Sequence, residues 1–137
     1  MSKAVGIDYG AKRTGVAITD SLKIIASGLT TIETKKLLLF ISELTQKEDI
    51  DFFVIGYPVN LQNKKNDIIK DIDIIIDKLQ TKYPSVPIHK IDERYTSKIA
   101  KNTLINSGTK KIKRRNKKII DQISATIILQ DYLDYYL

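Results

Sequence analysis

Hydrophobic and polar positions follow two different periods along this chain, and each change of period marks a new element. Three short apolar runs near the start predict an antiparallel meander of strands at residues 3–8, 14–19 and 27–32. The glycines in this region are interpreted as turn residues, namely Gly10, Gly15 and Gly28. From residue 34 to 48 the apolar positions take helical spacing, which predicts the first helix.

The second half of the chain alternates strand and helix patterns. Strands are predicted at 51–56 and 86–91, and helices at 66–83, 97–108 and 117–137, the first of these helices with a continuous isoleucine stripe. Three antiparallel strands followed by alternating strands and helices indicate an α/β fold. We expect one domain, residues 1–137, with a mixed five-stranded sheet and helices on both faces.

Composition narrows the possible functions. The chain has no cysteine, which excludes disulfides, zinc–thiolate sites and thiol nucleophiles. It shows no leader pattern and no apolar run of membrane-spanning length, so we expect a cytoplasmic protein without a membrane partner. The single histidine, His89, lies inside an apolar strand, where a packed residue is commoner than a metal ligand.

The formal net charge of +7 comes from one segment. Residues 109–118 read "TKKIKRRNKK", with seven basic residues and no acid, whereas the rest of the chain has equal numbers of each. A local basic run on a neutral body is typical of a polyanion-binding surface, although a solvated loop is the simpler alternative. The candidate nucleic-acid contacts in this run are Lys110, Lys111, Lys113, Arg114, Arg115, Lys117 and Lys118.

Carboxylates stand where strands of such a sheet end. Asp8 closes the first strand, Asp92 and Glu93 follow the last one, and Asp121 lies one turn inside the final helix on its small-residue side. Acids gathered there would raise one another's pKa unless a cation joined them. With oxygen ligands only, that cation would be Mg²⁺ or Mn²⁺, as one or two ions able to assist phosphodiester cleavage.

Each acid also has a structural explanation. Asp8 could cap the following turn, and Asp92 and Glu93 could begin the next helix, whose N-terminus favours negative charge. Asp121 is close enough to a helix start to serve the same purpose. The position of Asp8 within a buried run favours the functional interpretation.

Further basic residues lie close to these acids. Lys117 and Lys118 occupy the start of the last helix, where positive charge is unfavourable unless it serves a phosphate site. Lys12 and Arg13 are expected to project from the hairpin after Asp8. Arg94 could pair with a site carboxylate or with a phosphate.

Four motifs in order resemble the YqgF family, also called RuvX, which has an RNase H-like fold related to Holliday junction resolvases. They are "GIDYGAKRTGVAITD" (6–20), "VIGYPVN" (54–60), "IDERYTSKIA" (91–100) and "IDQISATIILQDYL" (120–133). The resemblance implies a nuclease that matures the 5′ end of the small-subunit ribosomal RNA precursor. Its acidic site falls on Asp8, Glu93 and Asp121, and its glycine-proline cleft loop on Gly56, Tyr57 and Pro58.

Two stretches depart from the family pattern. The segment "LQNKKND" (61–67) lacks the usual glycine, and Ser124-Ala125 stands where two alanines are common. Neither change removes a proposed ligand, and the close packing of the helix should survive the second.

Three other functions stay open. A Holliday junction resolvase would act on branched DNA and would need a dimer, whereas the sequence is equally compatible with a monomer or a weak homodimer. The segment "DYGAKRTG" also resembles the first phosphate loop of actin-like ATPases, which need two such domains. An RNA-binding maturation factor without catalysis is the third.

Overall fold

A computed structural model describes residues 2–57, 66–92 and 117–136. The strands are β1 (Ser2–Asp8), β2 (Arg13–Thr19), β3 (Ala26–Glu33), β4 (Asp49–Tyr57) and β5 (Ile88–Asp92). The helices are α1 (Leu37–Lys47), α2 (Asn66–Lys82) and α3 (Lys117–Tyr136), and a 3-10 turn at Thr34–Lys36 precedes α1. The helix predicted at 97–108 lies outside the described residues.

The five strands form one mixed sheet in the order β3-β2-β1-β4-β5. The first three are antiparallel neighbours, and β4 and β5 run parallel to β1. The sheet predicted from the sequence is therefore confirmed in strand number and direction. The carboxyl ends of β1, β4 and β5 lie at one edge of the sheet, the edge at which Asp8 ends its strand.

Both faces of the sheet are covered because consecutive residues of its central strands are apolar, which makes both faces of these strands apolar. On β1, Val5 and Ile7 pack with α1 and α2, whereas Ala4 packs with α3. The α1/α2 side uses large side chains, including Phe53 of β4. The α3 side uses small ones on β1 and β2, so this helix can lie close to the strands.

Glycines form the track on which α3 lies. A β-carbon built on Gly6 of β1 would be 2.7 Å from Cβ of Leu129, and one built on Gly28 of β3 would be 3.3 Å from Oγ1 of Thr126. Gly28 was interpreted as a turn glycine and so was Gly15, but both lie inside strands. Their use is to let a helix approach the backbone.

Element boundaries differ from prediction where tertiary contacts decide them. The helix predicted from residue 34 begins with the 3-10 turn because two hydrogen bonds hold Thr34 to the β1–β2 turn. The Thr34 hydroxyl donates to the carbonyl of Gly10 at 2.6 Å, and the Thr34 N–H donates to the carbonyl of Lys12. β5 begins at Ile88 and not at residue 86, since the N–H of Val86 closes a turn onto the Tyr83 carbonyl. Pro87 has no N–H for a ladder.

The hairpin between β2 and β3 is closed by Asp20. Its Oδ1 accepts hydrogen bonds from the N–H groups of Ile24 at 2.9 Å and Ile25 at 3.1 Å. These backbone donors, that of Ile25 foremost, hold the pKa of Asp20 below its usual value. Lys23 takes the left-handed conformation in this turn, with φ of 58°.

None of the helices described here has the length and apolar character needed to cross a membrane.

Candidate active site

Strand alternation gives Asp8 its direction. On β1, Ala4 and Gly6 face α3, whereas Val5 and Ile7 face the other side. Because every second strand residue points to the same face, Asp8 shares the α3 face with Ala4 and Gly6. Its carboxylate is half-buried at the end of the strand.

Asp121 of α3 packs against Gly15 of β2, the strand next to the one that carries Asp8. In the β1–β2 ladder, Gly15 is the cross-strand partner of Asp8. A β-carbon built on Gly15 would lie 2.1 Å from the carbonyl oxygen of Asp121, which means that the first turns of α3 rest directly on the β2 backbone. The predicted inward orientation of Asp121 is confirmed, and its side chain is 25% exposed. Both acids thus flank one glycine.

Arg13 contacts the second of these acids. Its Nε lies 3.3 Å from Oδ2 of Asp121, joining the first residue of β2 to α3. The sequence predicts that Arg13 projects from the hairpin, and the ion pair adds a partner that the pattern did not indicate. Lys12, its neighbour in the turn, is exposed.

One turn beyond Asp121, α3 carries a buried hydroxyl. Ser124 is 1% exposed, and its Oγ has no hydrogen-bond partner among the residues that the structure describes. Along α3, Ser124 lies between Asp121 and the buried core residue Ile128. A buried hydroxyl of this kind is an unfavourable polar group in the interface between helix and sheet.

The predicted cleft loop begins inside β4. Gly56 and Tyr57 are the last two residues of that strand, and Pro58 lies outside the described residues. Gly56 pairs with Ile91, and because it is two residues from Val54 it lies on the face of β4 that packs against α3. Tyr57 points the other way: its Oη donates a hydrogen bond to Asp73 of α2 at 3.0 Å. Of the two, Gly56 is the one on the face of Asp8.

Tyr57 is held in that direction from two sides. Nζ of Lys90 lies 4.6 Å from the centre of its ring, a cation–π distance. Partial burial, together with the carboxylate of Asp73, raises the pKa of the Tyr57 hydroxyl. Its polar contacts are therefore with α2 and β5.

His89 has a packing role, as its sequence position predicts. Its ring stacks on that of Tyr132 with centres 4.8 Å apart, and it meets Phe52 edge-on at 5.5 Å. These three rings join β4, β5 and α3 at the end of the helix away from Asp121.

The remaining candidates lie outside the described residues, namely Glu93, Arg94, Lys110, Lys111, Lys113, Arg114 and Arg115. α3 begins at Lys117, followed by Lys118, as predicted. Across residues 2–57, 66–92 and 117–136, no three potential ligands from His, Cys, Asp and Glu come together. The described part of the site is the pair Asp8 and Asp121.

This pair fits a hard divalent cation in its chemistry. Carboxylate oxygens are the ligands that Mg²⁺ and Mn²⁺ prefer. Arg13 already brings positive charge to Asp121, which indicates that this position accepts a cation. A third carboxylate ligand would come from outside the described residues.

The fold is that of known resolvases. T. thermophilus RuvC in complex with a Holliday junction substrate superposes with a TM-score of 0.61 at 14% identity, over 99% of this chain and 97% of that one. The Fowlpox virus resolvase, solved with Holliday junction DNA, has a TM-score of 0.61 at 13% identity, over 98% and 99%. The five-stranded mixed sheet with helices on both faces is thus an RNase H-like fold, as predicted.

Proteins found by sequence comparison have a much higher identity to this chain than these two resolvases. A protein of Amoebophilus asiaticus is 46% identical over 136 residues, which cover 99% of this chain and 96% of the relative. One from Bacteroides thetaiotaomicron is 45% identical over 134 residues, covering 98% and 97%. Both carry the name "Putative pre-16S rRNA nuclease". The sequence model of a family described as "RuvX: Holliday junction resolvase" matches residues 2–135, and the chain therefore belongs to the RuvX family.

Proposed function

We propose that this protein is a divalent-metal-dependent nuclease that cleaves phosphodiester bonds in structured RNA, with the precursor of 16S ribosomal RNA in the cytoplasm as its substrate. The observation that carries the proposal is the convergence of Asp8 and Asp121 on Gly15. The names of relatives that match nearly the whole chain support the choice of substrate.

Asp8, Glu93 and Asp121 would hold Mg²⁺ or Mn²⁺, as one or two ions. A bound divalent cation supplies Lewis acidity, which activates water and offsets the charge that develops on phosphodiester oxygens. Asp8 is held by the central strand and Asp121 by a helix resting on backbone, so neither ligand depends on a loop.

Basic residues would bind the substrate backbone on both sides of these acids. Lys12 and Arg13 stand after β1, and Lys117 and Lys118 begin α3. Exposed N–H groups at a helix start favour phosphate, and the adjacent lysines add charge. The basic residues from 110 to 115 and Arg94 would extend this surface, and Gly56 with Pro58 would border the cleft.

Resolution of a Holliday junction is the second candidate, favoured by the likeness of the fold to two junction-bound resolvases and by the family's description. It would require two active sites and therefore a homodimer. The RNA proposal requires one site and is compatible with a monomer.

The test compares the wild type with Asp8→Asn and with Asp77→Asn, a control on the exposed face of α2. Each protein is incubated with labelled 16S precursor RNA and with a four-way DNA junction, in Mn²⁺, Mg²⁺ or chelator. We expect metal-dependent RNA cleavage by the wild type and the control, and none by Asp8→Asn.

Cleavage of the junction alone would assign the protein as a resolvase. Tight binding of the RNA by all three proteins without cleavage would instead indicate a binding factor in ribosome maturation, and would overturn the catalytic proposal.

A further inference from the structure

The ion pair between Arg13 and Asp121 places a cation on a proposed metal ligand. Nε of Arg13 is 3.3 Å from Oδ2 of Asp121, and the two side chains are 38% and 25% exposed. Arg13 is anchored by its backbone at the start of β2, two residues from Gly15 and on the same face. The contact therefore lies where the carboxylates converge.

Arg13 is directed to Asp121 although another acid is its strand neighbour. Glu33 of β3 is the cross-strand partner of Arg13. The carboxylate of Glu33, however, lies 3.4 Å from Nζ of Lys35 and 3.5 Å from that of Lys36. These lysines, Lys35 foremost, keep the pKa of Glu33 low, so that acid is already neutralised locally.

We infer that Arg13 is an exchangeable counter-ion: it neutralises Asp121 in the metal-free protein and transfers to a backbone phosphate of the nucleic acid when a divalent cation binds. This inference rests on the proposed metal site. A guanidinium and a divalent cation on one carboxylate repel each other at short range. The long, partly exposed Arg13 side chain can leave Asp121 without any movement of the β2 backbone.

The ligand that receives Arg13 is a phosphodiester group. A guanidinium presents paired N–H donors that match phosphate oxygens, and its charge persists at every working pH. Arg13 follows directly after the exposed Lys12 at the proposed substrate surface. Cation binding and nucleic-acid binding would then strengthen each other, because both remove Arg13 from Asp121.

The first measurement is Mn²⁺ affinity of the free protein, by titration with electron paramagnetic resonance detection. Arg13→Gln should bind Mn²⁺ about fivefold more tightly than the wild type, since no side chain competes for Asp121. Lys78→Gln, which removes an exposed positive charge on α2, controls for general electrostatics and should change the affinity by less than about twofold. Arg13→Lys, which keeps the charge, should lie between the wild type and Arg13→Gln.

The second measurement is the affinity for a phosphorothioate oligonucleotide, which retains its charge and resists cleavage. Mn²⁺ should strengthen its binding to the wild type, and this gain should be at least about threefold smaller in Arg13→Gln. Urea unfolding of each variant establishes that it is folded.

Equal or weaker Mn²⁺ binding by both Arg13 variants would overturn the inference and make Arg13 a support for Asp121. Failure of the proposed function has another signature: Asp8→Asn and Asp121→Asn would then bind Mn²⁺ as tightly as the wild type.

Discussion

Gly15 lies directly beneath the carbonyl of Asp121, so that a β-carbon at position 15 would be 2.1 Å from that oxygen. Gly15 is also the cross-strand partner of Asp8. A close backbone contact thus places Asp121 against the strand pair that carries Asp8. The absence of a side chain at position 15 is a condition for the site.

Gly15→Ala should therefore reduce both stability and activity. The methyl group has to push α3 away from β2, and overpacking of this kind costs about 3 kcal/mol or more. Urea unfolding measures the stability, and metal-dependent cleavage measures the effect on the site. We expect activity to fall further than the folded fraction does.

Gly28→Ala is the matched control for this change, because a β-carbon there would meet only side-chain atoms at 3.3 Å or more. Its cost should be below about 1 kcal/mol, since a small shift accommodates the methyl group and the unfolded chain loses entropy. Equal effects of the two substitutions would contradict the special role of Gly15.

Ser124→Ala should stabilise the protein. The Ser124 hydroxyl is buried and has no partner among the described residues, and an unsatisfied buried polar group costs about 1–3 kcal/mol. Its removal should raise the free energy of unfolding by about 1 kcal/mol. Thr126→Ala on the same helix should lower it instead, because the Thr126 hydroxyl donates to the Gln122 carbonyl at 2.8 Å. A loss of stability in Ser124→Ala would show that the hydroxyl has a partner outside the described residues.

Asp20→Asn should alter the pH dependence of folding. The folded-state pKa of Asp20 lies below its unfolded value of 3.8, because the N–H groups of Ile25 and Ile24 stabilise the charged form. The ionised carboxylate therefore contributes stability above about pH 4, and this contribution disappears as the pH falls through the folded-state pKa. Asparagine keeps a hydrogen-bond acceptor without the charge. Urea midpoints of the two proteins should differ at pH 7 and converge near pH 2, whereas a constant difference would contradict this account.

Neutralising the basic residues from 110 to 115 should weaken nucleic-acid binding and its salt dependence. Each lost phosphate contact reduces the magnitude of the slope of log affinity against log salt by about 0.7–0.9, so five substitutions should reduce it by up to about 4.5. Fluorescence anisotropy over a salt series measures the slope. Replacement of the exposed α2 residues Lys70, Lys78 and Lys82 should leave the slope almost unchanged. An unchanged slope in the first variant would show that nucleic acid binds elsewhere.

The sequence predicts the elements of this fold well because its apolar periods are strong. The order of the elements along the chain predicted the strand directions. Ser124 and Ala125, three and four residues after Asp121 and therefore on the same face of the helix, predicted that Asp121 points inward. The 3-10 turn at Thr34 was missed because it depends on a hydrogen bond to Gly10, which only the folded hairpin brings near.

Two features of the site could not be predicted from the local sequence pattern. Gly15 was interpreted as a turn residue, since glycine in a strand is indistinguishable from a turn signal until its neighbour across the sheet is known. The pairing of Arg13 with Asp121 spans 108 residues of sequence, and no spacing rule links them. The sequence offered one signal for both features. Arg13 and Gly15 are two positions apart, the spacing at which strand residues share a face.

The packing of α3 on its glycine track also sets an order of events during synthesis. All five strands precede α3 in the chain, so the ribosome produces the sheet before it produces the helix that carries Asp121. Until α3 emerges, Phe52 and Val54 lack the cover that this helix gives them, and Asp8 lacks the carboxylate of Asp121. The nascent chain therefore passes through a stage that needs protection from aggregation, and the pair of carboxylates forms only at the end of that stage.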